Sequence, residues 1–330
     1  MLFVDNGGAT DPRLNLALEE YVLRHRFPGQ ECLLFYVNEP SIIIGRNQNT
    51  VEEIDPDAVH TRGIHVVRRI SGGGAVYHDH GNLNFSFLAP YTMGRFNRYE
   101  GFTRPVVAAL RDMGVPAELG GRNDITAGGR KISGNAQFVS GDRMFSHGTL
   151  LLDSDLTVLS HVLTPKPGKV ESKGHKSVRS RVANISEFLP TPLPIAEFRD
   201  RLLDGIFGSR NDLPLVELTE ADHAAVRDLA ATKYGTWEWN IGRSPACNVQ
   251  RVQRFPAGEI DVRIDVQEGR IAALRFFGDF IGQTEVASLE ERLRGIRFDR
   301  ESIERALGPV EVSDYFGPVT RQQLLGLLCG

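Results

Sequence analysis

Three consecutive glycines, Gly72 to Gly74, follow Arg68-Arg69-Ile70-Ser71 and precede Ala75-Val76-Tyr77-His78-Asp79. They remove every side chain from one turn of the chain. Before them, the apolar run Ile64 to Val67 ends on the two arginines. After them, Leu83, Phe85 and Phe87 alternate with Asn84 and Ser86. Period two is strand period. The spacing predicts a strand, a bare-backbone loop guarded by a cation, and a second strand. Peptide N–H groups in such a loop can approach an anion closely, because no Cβ intervenes. The same triplet also suits an ordinary flexible hairpin end.

A second polar segment runs from Gly120 to Ala136. Ala127-Gly128-Gly129-Arg130 reads as a hairpin turn, which sets Asn123-Asp124 and Lys131 on adjacent strands. Lys131 stands among glycine, serine and asparagine. It can neutralise a phosphate or a developing oxyanion, or be a solvated hairpin lysine. Asp124 can hold magnesium through phosphate oxygens or form a turn. Tyr77 can stack on a ligand or fill core. His78-Asp79-His80 has no third ligand at a recognisable spacing, which disfavours a catalytic zinc. His147, beside Gly148, reads as a positioning hydrogen-bond partner. No Walker sequence, dinucleotide fingerprint or nucleophile elbow is present.

Charge and cysteine content narrow the class. Lys plus Arg number 38 and Asp plus Glu 42, a net charge of −4, so nothing recommends nucleic acid as a partner. The three cysteines, Cys32, Cys247 and Cys329, form no metal or disulfide pattern. None lies in a glycine-rich segment, where a thioester route would need one. Activation of a carboxylate by a nucleotide is then the better reading. A cytoplasmic setting is expected, with no membrane span.

In chain order, Asp11-Pro12 starts a helix that carries Leu14, Leu16, Ala17, Leu18, Tyr21, Val22 and Leu23, with Glu19 and Glu20 inside it. Cys32 to Val37 and Ser41 to Ile44 read as two paired strands around Asn38-Glu39-Pro40. A helix is expected over Tyr99 to Met113, and a hairpin around Ser140-Gly141-Asp142. Thr164 to Ser180 shows no period and reads as a mobile loop. Further helices are expected at Pro194–Ile206 and Glu220–Ala231, and a terminal strand at Trp237–Asn240. Beyond Arg243-Ser244-Pro245-Ala246 comes a three-strand meander, Gln250 to Phe277, and then helices at Ser288–Leu293, Arg300–Leu307 and Val319–Leu328. The expected division is 1–244 and 245–330.

The run Arg68 to Asp79 resembles the signature loop of lipoate–protein ligases. Arg122-Asn123-Asp124, Arg130-Lys131-Ile132-Ser133-Gly134, His147-Gly148-Thr149-Leu150-Leu151 and Ser177-Val178-Arg179-Ser180-Arg181 resemble that family's other motifs, in the same order. The resemblance covers nearly the whole chain, and the motifs are specific together. It implies an α+β fold with a mixed, mainly antiparallel sheet and helices, akin to biotin–protein ligases and class II aminoacyl-tRNA synthetases. A small α+β accessory domain would follow at the C-terminus.

The resemblance also implies a reaction. Lipoate and ATP, with Mg²⁺, give lipoyl-AMP and pyrophosphate; the lipoyl group then passes to a lysine of an acceptor. Acceptors would be lipoyl domains of 2-oxoacid dehydrogenase complexes and the glycine-cleavage H protein. By position, Arg69, Gly74, Ala75, Val76, Tyr77 and Lys131 would bind ATP. Ser71, Gly72, Gly73, Leu16, Leu18 and Lys131 would bind lipoate. Lys131 would also be catalytic, and Lys166 to Arg181 would close over the adenylate. Alternatives are an ATP-independent octanoyl or lipoyl transferase, whose cysteine this chain lacks at any suitable place, and a non-catalytic lipoate- or adenylate-binding module. Biotin transfer is a weaker rival.

Overall fold

The computed structural model describes residues 1–48, 50–54, 56–121, 123–162, 182–240, 249–267, 270–298 and 300–329. The expected loop at 164–180, its continuation to Arg181 and the linker at 243–246 lie outside these residues.

Strands β1 (Leu2–Asp5), β2 (Cys32–Val37), β3 (Ser41–Ile44), β4 (His65–Arg68), β5 (Val76–His78) and β6 (Asn82–Pro90) come first in the chain. Then come β7 (Ala117–Gly120), β8 (Asp124–Ala127), β9 (Arg130–Ser140), β10 (Arg143–Leu151) and β11 (Leu215–Val216). Eight of them form one sheet in the order β11-β1-β2-β6-β10-β9-β8-β7. Only β1 runs parallel to its neighbours, β11 and β2; the other pairings are antiparallel. The fold is therefore α+β with a mixed, mainly antiparallel sheet.

Both faces of this sheet are covered. On β2, Leu33 and Phe35 join one apolar cluster, with Phe85 and the helices Glu100–Asp112 and Ile195–Phe207. Cys32, Leu34 and Tyr36 join another, under the helix Pro12–His25. Strand alternation thus sorts one run onto two cores, and for that reason β2 reads as unbroken apolar sequence. Asp11 caps the first helix by accepting from the Arg13 amide at 2.8 Å, with Pro12 in the first turn.

Two expectations are corrected. Strands β2 and β3 do not pair: β3 sits in a separate sheet, β4-β3-β5. Asn38-Glu39-Pro40 carries the chain between layers instead of turning it back. The buried Asn38 side chain bonds Asn15 and His78, and the Glu39 amide bonds the Thr10 carbonyl. Trp237–Asn240 is a short helix and not a strand. Its Trp-Glu-Trp-Asn alternation is too short to decide. The Thr236 hydroxyl accepts from the Trp239 amide at its start, and the Asn240 side chain donates to Tyr234 O at 2.7 Å.

Glu20 lies buried in the first helix. It accepts from Lys233 Nζ at 2.7 Å, the Tyr234 hydroxyl at 2.7 Å and Arg24 Nε at 2.8 Å. Burial pushes its acidity the other way, but these donors outweigh it and hold the carboxyl below its ordinary value. A depressed carboxyl stabilises the fold above its unfolded pKa, about 4.3, and that gain is lost as pH falls through the folded value. Glu20→Gln is expected to cost about 2 kcal/mol at neutral pH and to flatten the acid limb of stability below about pH 4.3. Urea titrations across pH check both.

C-terminal to residue 248, strands β12 (Val249–Phe255), β13 (Gly258–Gln267) and β14 (Arg270–Gly278) form an antiparallel meander. Helices Val286–Leu293, Arg300–Leu307 and Arg321–Cys329 pack on it around Ile260, Val262, Ile264 and Phe316. The short helix Val312–Phe316 is an element the sequence did not announce. This layer meets the glycine loop's neighbourhood directly. The Gly278 amide donates to Asn47 O at 2.6 Å, and Arg46 pairs with Glu285 at 2.6 Å.

Candidate active site

Strand β4 delivers Arg69 into the glycine loop, and the loop folds around the guanidinium. Arg69 Nη1 donates to Ile43 O at 3.0 Å, Nη2 to Gly72 O at 2.7 Å and Gly74 O at 2.8 Å, and Nε to Ser71 Oγ at 3.0 Å. The cation is buried inside the loop and does not guard it from outside. Burial brings its pKa down to about 10, so it stays charged at neutral pH. Spending its donors on carbonyls fixes which loop groups remain free.

The three glycines answer to three different needs. A Cβ on Gly72 would stand 2.5 Å from Phe280 O, so the C-terminal layer requires that glycine. Gly73 has φ +92°, which other residues rarely adopt. A Cβ on Gly74 would meet nothing within 4 Å, so this is where the loop leaves open space. Ser71 Oγ shares a hydrogen bond with His147 Nε2 at 2.8 Å, and His147 Nδ1 donates to Glu19 at 2.9 Å. This is a carboxylate–imidazole–hydroxyl chain without a nucleophile elbow. Ser71 is fully buried, so the chain ties the loop to β10 and the first helix instead of presenting a nucleophile.

The second motif forms the opposite wall. Gly128 and Gly129, at φ +55° and +74°, turn β8 into β9 as the mirror-image turn requires. Lys131 on β9 reaches back to Asp124 Oδ1 at 2.8 Å, and both side chains are partly exposed. A Cβ on Gly134 would stand 2.9 Å from Lys131 Nζ, so that glycine makes room for the ammonium. The chain returns beside it at Val182–Ala183, where the Ala183 amide donates to Lys131 O at 2.9 Å.

Between the two sheets lies a cavity of about 160 Å³. Leu16, Tyr36, Ile43, Val76 and Ala136 give it apolar wall; Arg69, Lys131, His78, Asn84 and His147 give it polar ends. Gly73, Gly74 and Ala75 also face it. A larger hollow of about 660 Å³ lies on the outer side of Asn123 and Asp124, open and lined by Arg95, Arg98 and Leu119. The smaller cavity brings together the sequence-derived residues Arg69, Gly73, Gly74, Ala75, Val76, Lys131 and Leu16.

It does not bring in Leu18, Ser71, Gly72, Tyr77 or Asp124. Leu16 and Leu18 are two apart on a helix and so face different ways; Leu18 fills core. Tyr77 packs with Ile42, Ile44, Val59 and Val162, since strand alternation turns it away from Val76 and His78. Ser71 and Gly72 lie one layer behind the wall, and Asp124 lines the outer hollow. Sequence reasoning missed Glu19, Asn38 and Arg68 as parts of the site's frame. The signal for Glu19 was a carboxylate within an apolar helix run.

A Cβ on Gly45 would fall 1.9 Å from Gly73 O. Gly45→Ala must therefore shift the glycine loop. We expect kcat/KM for the ligand that this loop receives to fall by roughly tenfold to 100-fold, since misplacement by about 1 Å has that effect, with the far-UV spectrum unchanged.

A narrow cavity with apolar walls and an ammonium at its exposed end is built for a small carboxylic acid with an apolar chain. Residues 11–207 match the family model described as the lipoyl protein ligase A/B catalytic domain, and residues 244–328 the bacterial lipoate protein ligase C-terminus. The chain is 49% identical over 330 residues to the lipoate-protein ligase LplJ of Bacillus subtilis, across 99% of this chain and 100% of that protein. A solved lipoate-protein ligase A bound with ATP matches with TM-score 0.60 and 33% identity, over 73% of this chain and 97% of the other. A bipartite lipoate protein ligase of Thermoplasma acidophilum, described with its E2 lipoyl domain, gives 0.65 and 33% over 75% and 98%. The chain belongs to the lipoate–protein ligase family.

Proposed function

We propose that the chain is an ATP-dependent lipoate–protein ligase working in two half-reactions at the cavity. A lipoate carboxylate oxygen attacks the α-phosphorus of ATP, and pyrophosphate leaves. The amine of an acceptor lysine then attacks the acyl carbon; AMP leaves, and the amine gives up a proton as the amide forms. The observation that carries this reading is the partly exposed Lys131 on the lining of an apolar-walled cavity that Gly74 also borders.

Two anions must meet in the first step. The Lys131 ammonium offsets their repulsion and then stabilises the carbonyl oxygen during transfer. Gly74, Ala75 and Val76 supply the backbone edge for the nucleotide, with Arg69 fixing the loop's shape. Ser71 and Gly72 act from behind the wall, and Tyr77 and Leu18 by packing the elements that carry it. Leu16 and Gly73 border the acyl chain.

Among the described residues, no three His, Cys, Asp or Glu side chains cluster. Magnesium sites on nucleotides commonly use one or two carboxylates, with phosphate oxygens and water completing the shell. Asp124, beside Lys131, fits that lesser role, and a magnesium ion there would offset phosphate charge. Acceptors are lipoyl domains; those of 2-oxoacid dehydrogenase complexes and the glycine-cleavage H protein are the particular ones proposed. We place the division between catalytic and accessory regions at 244/245. No helix among the described residues is long and apolar enough to cross a membrane.

Pyrophosphate release from ATP with lipoate, and no acceptor present, tests the first half-reaction. Release that depends on lipoate supports the ligase. Binding of both ligands without release favours the non-catalytic module, and acyl transfer without ATP favours the transferase.

A further inference from the structure

His78 is 3% exposed and lines the cavity, yet its Nε2 has no hydrogen-bond partner among the described residues. Its protonation can be read from the chain of amides behind it. Asn15 Nδ2 donates to the Ala9 carbonyl at 2.9 Å, while its Oδ1 accepts from Asn6. That fixes which end of Asn15 is nitrogen. The same Nδ2 donates to Asn38 Oδ1 at 2.8 Å, so the other end of Asn38 is its nitrogen, which lies 3.0 Å from His78 Nδ1. His78 Nδ1 must therefore accept, and the ring proton sits on Nε2. Burial, then the charge of Arg69 and the neighbouring His147, brings the ring's pKa down to about 3, so it is neutral at working pH. A buried N–H left without a partner costs about 1–3 kcal/mol, and such groups ordinarily find one.

The sheet register says where on the cavity this donor stands. Tyr36 pairs with Asn84, and Asn84 with Thr149, whose hydroxyl accepts from the Gly134 amide at 3.2 Å. Lys131 Nζ lies against Gly134. Asn38 follows Tyr36 and Val37 on the side of Thr149 and Leu150, away from His147 and Ser71. His78, held by Asn38, is thus at the Lys131 end. A fatty chain has no acceptor, and divalent sulfur is a weak one. The strong acceptors of the acyl substrate are its carboxyl oxygens.

We propose that His78 is a further catalytic residue, donating its Nε2–H to the carboxyl oxygen that becomes the acyl carbonyl of the adenylate, across the site from Lys131. This rests on the ligase reading above. The hydrogen bond strengthens as negative charge gathers on that oxygen, and no proton leaves the ring. A neutral imidazole polarising a carbonyl is known chemistry elsewhere.

The test uses the full chain, with His78→Ala and His78→Gln. His78→Ala is expected to lower kcat roughly 100-fold, both in lipoate-dependent pyrophosphate release and in transfer from preformed lipoyl-adenylate. KM for lipoate should change less than about threefold, and octanoate should suffer the same loss as lipoate. The pH profile from about pH 6 to 9 should keep its shape, because the ring does not titrate there. In wild-type protein, nitrogen NMR should show the Nε2–H form, with that proton moving downfield when a sulfamoyl analogue of lipoyl-adenylate binds. This readout stands even where the alanine variant folds poorly.

A kcat within about threefold of wild type in folded His78→Ala overturns the role. So does a loss confined to lipoate, or an Nδ1–H ring. Wild-type protein that releases no pyrophosphate would instead overturn the ligase reading.

Discussion

Lys131→Ala should lose lipoate-dependent pyrophosphate release by about 1,000-fold or more while keeping its fold. A single donor to a developing oxyanion is worth about 100- to 1,000-fold, and the proposed role of Lys131 spans both the activation and the transfer step. Its contribution to stability is small by contrast. Nζ pairs with Asp124 at 2.8 Å, but the two side chains are 38% and 33% exposed, and exposed pairs contribute about 0–1 kcal/mol. Activity and stability should therefore separate cleanly. Lys131→Arg should not rescue, because the pocket beside Gly134 accommodates a compact ammonium and not a planar fork. Initial rates of pyrophosphate release beside a thermal melt check the claim. Release within tenfold of wild type would count against a catalytic Lys131.

Arg68→Met should have the opposite profile, with a large loss of stability. Arg68 is 1% exposed. Its guanidinium donates to Trp239 O at 2.9 Å, Gly45 O at 2.9 Å, Arg46 O at 3.0 Å, Gln48 O at 2.6 Å and Thr50 Oγ1 at 2.6 Å. One side chain thereby ties the helix Trp237–Asn240 to the loop that carries Arg46 and Asn47 against the C-terminal layer. Methionine fills part of the volume and strands several buried carbonyls. Loss of a buried charged partner typically costs about 3–5 kcal/mol. At roughly 2–4 °C per kcal/mol for a domain of this size, the melting temperature should drop by about 10 °C. A drop of only a degree or two would mean that water takes over the guanidinium's bonds.

These two adjacent arginines show what the sequence could and could not tell. Both are legible as the cations that precede a glycine loop. Neither is legible as a buried clamp, because beside the local Gly72 and Gly74 the carbonyls that receive them come from Ile43, Gly45, Arg46, Gln48 and Trp239, distant in sequence. The same holds for Glu19, whose partner His147 lies on β10.

Local rules served better where the signal was local. Gly128-Gly129 and Ser140-Gly141-Asp142 turn where the dipeptide chemistry says they should, and alternation at Ile260, Val262 and Ile264 gives the C-terminal meander. The mixed, mainly antiparallel sheet followed from the motifs' resemblance and is what the chain forms. The pairing of β2 with β3 failed because a turn sequence does not reveal whether it folds a strand back or passes it to another layer. Leu18 and Tyr77 lie off the cavity lining, Leu18 through helix geometry and Tyr77 through strand alternation, neither of which a motif match reveals.

The most direct test of the account is acceptor modification. Purified protein is mixed with lipoate, magnesium ATP and an apo lipoyl domain, and the domain's intact mass is followed beside release of AMP. The account predicts a lipoyl adduct that requires ATP, forms with stoichiometric AMP, and vanishes when the acceptor's target lysine is replaced by arginine. An adduct that forms equally well without ATP, or no adduct on an acceptor that a known ligase modifies, would contradict it.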